Sequence, residues 1–248
     1  HVGGPHESVV RKGIEWLKGI QKPNGDFHDH DELGRQTAFY AHSQATIVLC
    51  EALAMTKDES LRASAEAGVR YLLESQQTTL GGWKYQPQNE KTVGDLSVTG
   101  WALMALHTAR AAGIEVSEGP YLRASGFLDS VSSLRGARYR YEPTHPMDRF
   151  TVAMTAEGLV CRQYMGWPKD HPAMIDGLAW LASSENEPEW APGRRNVYAW
   201  YYCGQALHNV GGDEWKAWYA RASQQVADHQ TALGSIKPGQ DVRGSWGP

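Results

Sequence analysis

The chain has 248 residues, 41% of them hydrophobic and 21% charged, with a formal net charge of −4. That length and apolar content suit one domain, 1–248, with a sizeable core, and the absence of a basic patch argues against nucleic acid as a partner. No apolar run reaches the ~18 residues of a membrane span, and three cysteines, Cys50, Cys161 and Cys203, do not make a disulfide framework.

The first predicted helix runs through Val9, Gly13, Trp16 and Ile20, a helical spacing. It ends at "QKPNGDF" (21–27), and the loop "HDHDE" (28–32) follows. A second helix, from His42, is apolar on all sides and therefore expected to be buried. Thr56 and Glu59 read as a capping box opening a third helix over Leu61, Ala65, Gly68 and Leu72. That helix ends at "QTTLGGW" (77–83), and a fourth, again apolar all round, starts from Asp95. The alternation continues with an amphipathic helix through Ala124 and Phe127, the loop "SLRGARY" (133–139) and a buried helix from Asp148. Asp170 and Pro172 open the next amphipathic helix. "SENEPEW" (184–190) and a buried helix from Asn196 follow, and "QDVRGSW" stands at 240–246. No strand-like alternation competes.

Two registers show that this is a repeat. Aromatic–Leu pairs at Trp16, Tyr71, Phe127 and Trp180 recur at steps of 55, 56 and 53 residues. A small residue precedes each aromatic by three: Gly13, Gly68, Ala124 and Gly177, which lets a neighbouring helix approach. Small–Leu pairs ending at Leu53, Leu106, Leu159 and Leu207 each stand eleven residues after a polar residue: His42, Asp95, Asp148 and Asn196. Four units of an outer amphipathic and an inner buried helix result. The Gln-x-x-x-Gly-x-aromatic loop ends each outer helix: Gly supplies the tight conformation, the aromatic packs into the junction, and Gln bonds exposed backbone.

These loops resemble the QW repeats of squalene and oxidosqualene cyclases. "GGWKYQP", "GDLSVTGWALMAL", "CRQYMGW" and "WYYCGQALHNVGGDEW" are similar to bacterial prenyltransferase/squalene-cyclase-type repeat proteins. The resemblance covers nearly the whole chain and implies an all-α fold, an α/α toroid, whose inner helices line a cavity. Family members carry about six helix pairs, so four units imply an incomplete ring. In the related protein prenyltransferases an Asp, a Cys and a His hold zinc. Asp95 and Trp101 match that pattern, but Ser97 stands at the Cys position and Thr151 at the His position. The resemblance therefore does not imply zinc-dependent thiol prenylation, which needs the soft ligand. The cyclase acid motif D-x-D-D has its nearest text in Asp29–Glu32, in a loop.

If the inner helices run parallel, His42, Asp95, Asp148 and Asn196 converge at one rim, where helix N-termini suit an anionic ligand. The competing reading makes Asp and Asn plain N-caps. "VYAWYYCGQAL" (197–207) places Tyr198, Tyr201 and Tyr202 on one helix, as a cavity wall able to stabilise a cation or as packed core. Thr99 and Trp101 join them as ligand-binding candidates, with Asp95 as the catalytic one. His28, His30 and Asp31 offer imidazole and carboxylate to a divalent metal, against a solvated loop; otherwise no cofactor is expected. The leading expectation is a binding or assembly module for an elongated apolar, isoprenoid or peptide ligand, with a protein partner or homo-oligomer covering open inner-helix surface. The alternatives are an isoprenoid transferase or cyclase built around Asp95, and a secreted metal-dependent enzyme acting on polysaccharide. A chain beginning at His1 rather than Met favours an exported protein, periplasmic or extracellular.

Overall fold

The computed structural model describes residues 4–28, 37–87, 93–144 and 149–230. It is all-α apart from one two-residue strand pair. The helices are α1 (Glu7–Ile20), α2 (Ala38–Thr56), α3 (Arg62–Ser75), α4 (Leu96–Ala111), α5 (Glu118–Ser130), α6 (Val152–Tyr164), α7 (Pro172–Leu181), α8 (Val197–Val210) and α9 (Gly212–Asp228). Strands β1 (Ser132–Ser133) and β2 (Arg138–Tyr139) pair antiparallel inside the third loop. α2 packs on α4, α4 on α6 and α6 on α8. α3 fills the angle between α2 and α4, and α7 that between α6 and α8.

Burial follows the sequence pattern. Helices α2, α4 and α6 carry apolar or small residues on nearly every face, and most of their residues are buried. Burying each large apolar side chain contributes about 1.5–3 kcal/mol, so this central row dominates the stability. α1 buries only Ile14, and α9 only Trp218 and Ala222. The two end helices are thus covered on one side.

The first two units are each tied to the next by their loop. Gln21, just past α1, donates from Nε2 to the carbonyls of Gly25 (3.2 Å) and Ser64 of α3 (2.9 Å). Gln76, just past α3, repeats this with Gly81 (2.7 Å) and Pro120 of α5 (2.9 Å). The side chain thus links its own loop to the next outer helix. The residue that does this in the second loop is Gln76, one before the Gln77 of the written motif, because Gln76 is the residue that caps α3. Gly81 has φ +78°, and a Cβ there would stand 2.1 Å from the Arg123 carbonyl of α5; only glycine fits. The loop aromatics are buried: Phe27, Trp83 and Tyr139 are at most 4% exposed. Trp83 donates from Nε1 to the Leu72 carbonyl of α3 (2.9 Å) and from its backbone N–H to Thr99 Oγ1 of α4 (3.0 Å).

The helix starts differ from expectation in several places. Thr56 ends α2 instead of capping α3; its hydroxyl bonds back to Ala52, and Asp58 accepts from Ser60 N–H to open a short 3₁₀ turn before α3. His171, not Asp170, caps α7, accepting from Ala173 N–H ahead of Pro172. α2 begins at Ala38, so His42 lies one turn inside it, because Ala38 and Phe39 are already core residues. Small residues at Gly68 and Gly177 do admit neighbours at short range, but nothing lies within 4 Å of a Cβ at Gly13. A fifth outer helix, α9, was not expected at all. The 240–246 motif lies outside the described residues.

Candidate functional site

Asp95 opens α4 as its N-cap, accepting from Val98 N–H at 2.8 Å. Ser97 donates to the same oxygen at 2.8 Å, and the Tyr40 and Ser97 hydroxyls are 2.6 Å apart. The second oxygen faces Lys84 Nζ at 3.2 Å, and Lys84 reaches Glu142 at 2.8 Å. The ammonium lies about 5 Å from the ring centroids of both Tyr85 and Tyr141, whose hydroxyls bond one another. Burial pulls the Lys84 pKa down, but the Glu142 bond and the Asp95 charge outweigh it and leave it raised. Asp95 is fully buried; Oδ1 takes the hydrogen bonds, and Oδ2 has the Lys84 ion pair but no aligned hydrogen bond. The group is a closed ion-pair network, with no oxygen of Asp95 turned to solvent.

Glu157, one turn into α6, is the second buried carboxyl. Tyr198 of α8 donates to Oε2 at 2.9 Å, while Oε1 faces Gly100 of α4 and accepts no hydrogen bond. A Cβ on Gly100 would lie 2.1 Å from Oε1, so the glycine makes the room the carboxyl occupies. Burial pushes the Glu157 pKa well above the carboxylate range; the Tyr198 and Tyr202 hydroxyls oppose this and the Asp95 charge adds to it. Burial thus favours the protonated, neutral form of this acid.

Aromatic rings cover this carboxyl. Trp101 stacks on Tyr201 (centroids 5.7 Å apart) and meets Tyr202 edge-on at 6.1 Å. Tyr198 meets Tyr202 at 5.1 Å. Four sequence-named residues, Trp101, Tyr198, Tyr201 and Tyr202, are therefore one cluster joining α4 to α8. Tyr201 has a second role: half-exposed, it also lines a cavity of about 580 Å³ between α8 and α9. Val197, Trp200, Trp215, Trp218 and Tyr219 complete its main walls. Trp215 stacks on Trp218 and tilts against Tyr219.

The other sequence candidates serve the fold. His42 is buried; its ring bonds the Gly68 carbonyl, takes the Phe27 N–H and faces Asp26 at 3.6 Å. Asp26 is held at about 2: burial raises it, but the His42 and His28 bonds outweigh this. Thr99 is buried against Trp83, and Asn196 caps α8 through Ala199 N–H. His28 is buried. His30, Asp31 and Asp148 lie outside the described residues; among those described, Thr151 caps α6. Among the described residues, no group of three or more His, Cys, Asp or Glu could hold a metal ion, and no helix is long and apolar enough to cross a membrane. Burial pushes the Cys50 and Cys203 thiols up to about 12 and Cys161 well above its usual value, which leaves no reactive thiolate.

Sequence reasoning missed Lys84, Glu142, Glu157 and the α9 aromatics. The repeat did carry a signal for the first two. "WKYQP" (83–87) and "YRYEP" (139–143) are one phrase written 56 residues apart, with Lys84 opposite Arg140 and Tyr85 opposite Tyr141. Glu157 had a weaker mark, a lone acid within "VAMTAEGLVC". The sequence matches no protein-family model, and no curated protein sequence matches it.

Proposed function

We propose that the chain is a repeat module of the prenyltransferase/squalene-cyclase type, an incomplete α/α toroid, that holds an elongated apolar ligand of isoprenoid kind in the α8–α9 groove. The observation that carries this reading is the groove itself. About 580 Å³ lies within the few hundred to one thousand Å³ typical of small-molecule sites. Its walls are Trp and Tyr rings, rigid surfaces that lose little conformational freedom on binding. Val197, Tyr201 and Tyr219 are about half-exposed there, an unusual outlay of apolar surface. The reading as an enzyme centred on Asp95 has less support, since that carboxylate is buried, capping a helix and paired with Lys84.

The test is a titration of the full chain with farnesol, an uncharged isoprenoid alcohol, followed by tryptophan fluorescence. Saturable one-to-one binding is expected, weakened roughly tenfold or more by Trp215→Ala or Tyr219→Ala, each of which removes about 1.5–3 kcal/mol of apolar contact. Absence of saturation, or affinity indifferent to both substitutions, refutes the reading.

A further inference from the structure

The third loop repeats the second in backbone but not in charge. Tyr139 N–H bonds Thr155 Oγ1 at 3.1 Å as Trp83 N–H bonds Thr99 Oγ1 at 3.0 Å. Thr151 caps α6 as Asp95 caps α4. Each pair is 56 residues apart, so Arg140 is the counterpart of Lys84 and Thr151 of Asp95. Lys84 is neutralised by two carboxylates, Asp95 and Glu142. Arg140 keeps the cation, and its acid has become Thr151.

The structure shows where that cation goes. Arg140 turns to the Ser130 carbonyl (3.3 Å), and its Nε is buried with no hydrogen-bond partner. Thr151 N–H bonds the Tyr139 carbonyl (3.2 Å) and Arg140 N–H bonds the Val131 carbonyl (3.0 Å), which lays 149–151 and 131–133 on either side of β2. A second arginine, Arg149, joins Arg140 in lining one cavity of about 580 Å³. Among the described residues neither has an ion-pair partner. Ser132 and Ser133 line the same cavity, and Leu134 and Phe150, 61% and 47% exposed, are its apolar walls. Phe150 is braced edge-on by Trp180 at 5.9 Å. The two neighbouring buried arginines are occupied: Arg138 with Asp176 and the Trp180 ring, Arg162 with Asp129 and the Trp167 ring.

We propose that this cavity is a second binding site, for a small amphipathic anion: an oxyanion head carried on an apolar chain. Arg140 and Arg149 take the head, guanidinium forks being matched to carboxylate and phosphate oxygens. The Ser133 hydroxyl adds a donor, the Ser132 hydroxyl being given to the Asp129 carbonyl, and Leu134 and Phe150 take the first carbons of the chain. Two arginines with no ion-pair partner among the described residues, in a chain of net charge −4, are otherwise unexplained.

The probes are decanoate and decyl phosphate, with decanol as the uncharged control, titrated calorimetrically into the full chain. At least one anion should bind saturably and at least tenfold tighter than decanol, the tighter anion identifying the head group. Arg149→Ala, an exposed position, should weaken it roughly tenfold or more, the cost of one charge-assisted hydrogen bond. Thr151→Asp should do the same while keeping the helix cap, by giving Arg140 the partner Lys84 has; Thr151→Asn should leave binding intact. Tyr219→Ala in the α8–α9 groove should have no effect, which separates this site from that one. Equal binding of decanol, no saturation, or indifference to both Arg149→Ala and Thr151→Asp overturns the proposal.

Discussion

An ionised Glu157 would sit at the meeting of α4, α6 and α8 with no cation in ion-pair reach among the described residues and Asp95 as an unfavourable neighbour. Its folded pKa is raised, so the folded protein keeps a proton that the unfolded chain gives up near pH ~4.3. Stability is therefore lost as pH rises from that value toward the folded pKa. Glu157→Gln removes the linkage. Its melting temperature should gain on that of the native sequence progressively over the range that begins at the ordinary carboxylate pKa, about 4, and runs upward toward the raised folded value. A difference constant across that range would contradict the assignment. Asp95, by contrast, caps α4 and faces Lys84. Asp95→Ala should cost about 2–4 kcal/mol in urea unfolding, a lost cap plus a lost buried ion pair. Asp95→Asn, which still caps, should cost distinctly less. Asp95 was legible in the sequence because caps are chemically restricted and recur at helix starts. Glu157 was not, because its burial depends on Gly100, 57 residues earlier, and no local pattern joins the two.

At the scale of the element, the helices and their pairing were readable, and their joints only partly so. Periodicity records which face of a helix is apolar, and that survives in sequence. Starts and stops rest on single side-chain bonds, and Asp58 and His171 took roles that Thr56 and Asp170 fit equally well on paper. His42 belongs to a register that holds to the residue, yet it anchors the interior of α2 through Gly68 and Asp26. The loop glycines separate cleanly into required and spare. Gly81→Ala, at positive φ with the Arg123 carbonyl 2.1 Å from the new Cβ, should destabilise by roughly 3 kcal/mol or more. Gly13→Ala, with open space around it inside α1, should stabilise by up to about 1 kcal/mol. Paired thermal melts of the two variants check both signs.

For the whole molecule, the repeat explains the central row of helices and leaves its last face uncovered. α9 went unread because it lacks the aromatic–Leu pair: Tyr219 is followed by Ala220. Without α9 the groove has one wall, so Tyr201 could be suspected from sequence only as part of an inner lining. The structure gives it two neighbours, Trp101 on one side and the groove on the other. Ligand in the groove should therefore be felt at Trp101 and weakly, if at all, at the Lys84–Asp95 network, whose members pack against each other. The most direct measurement is an isotope-filtered NOE spectrum of ¹³C,¹⁵N-labelled full chain with farnesol. The account predicts contacts from the farnesyl methyls to the ring protons of Trp215, Tyr219 and Tyr201. Contacts confined to Tyr40, Tyr85 and Tyr141, or none at saturating farnesol, would contradict it.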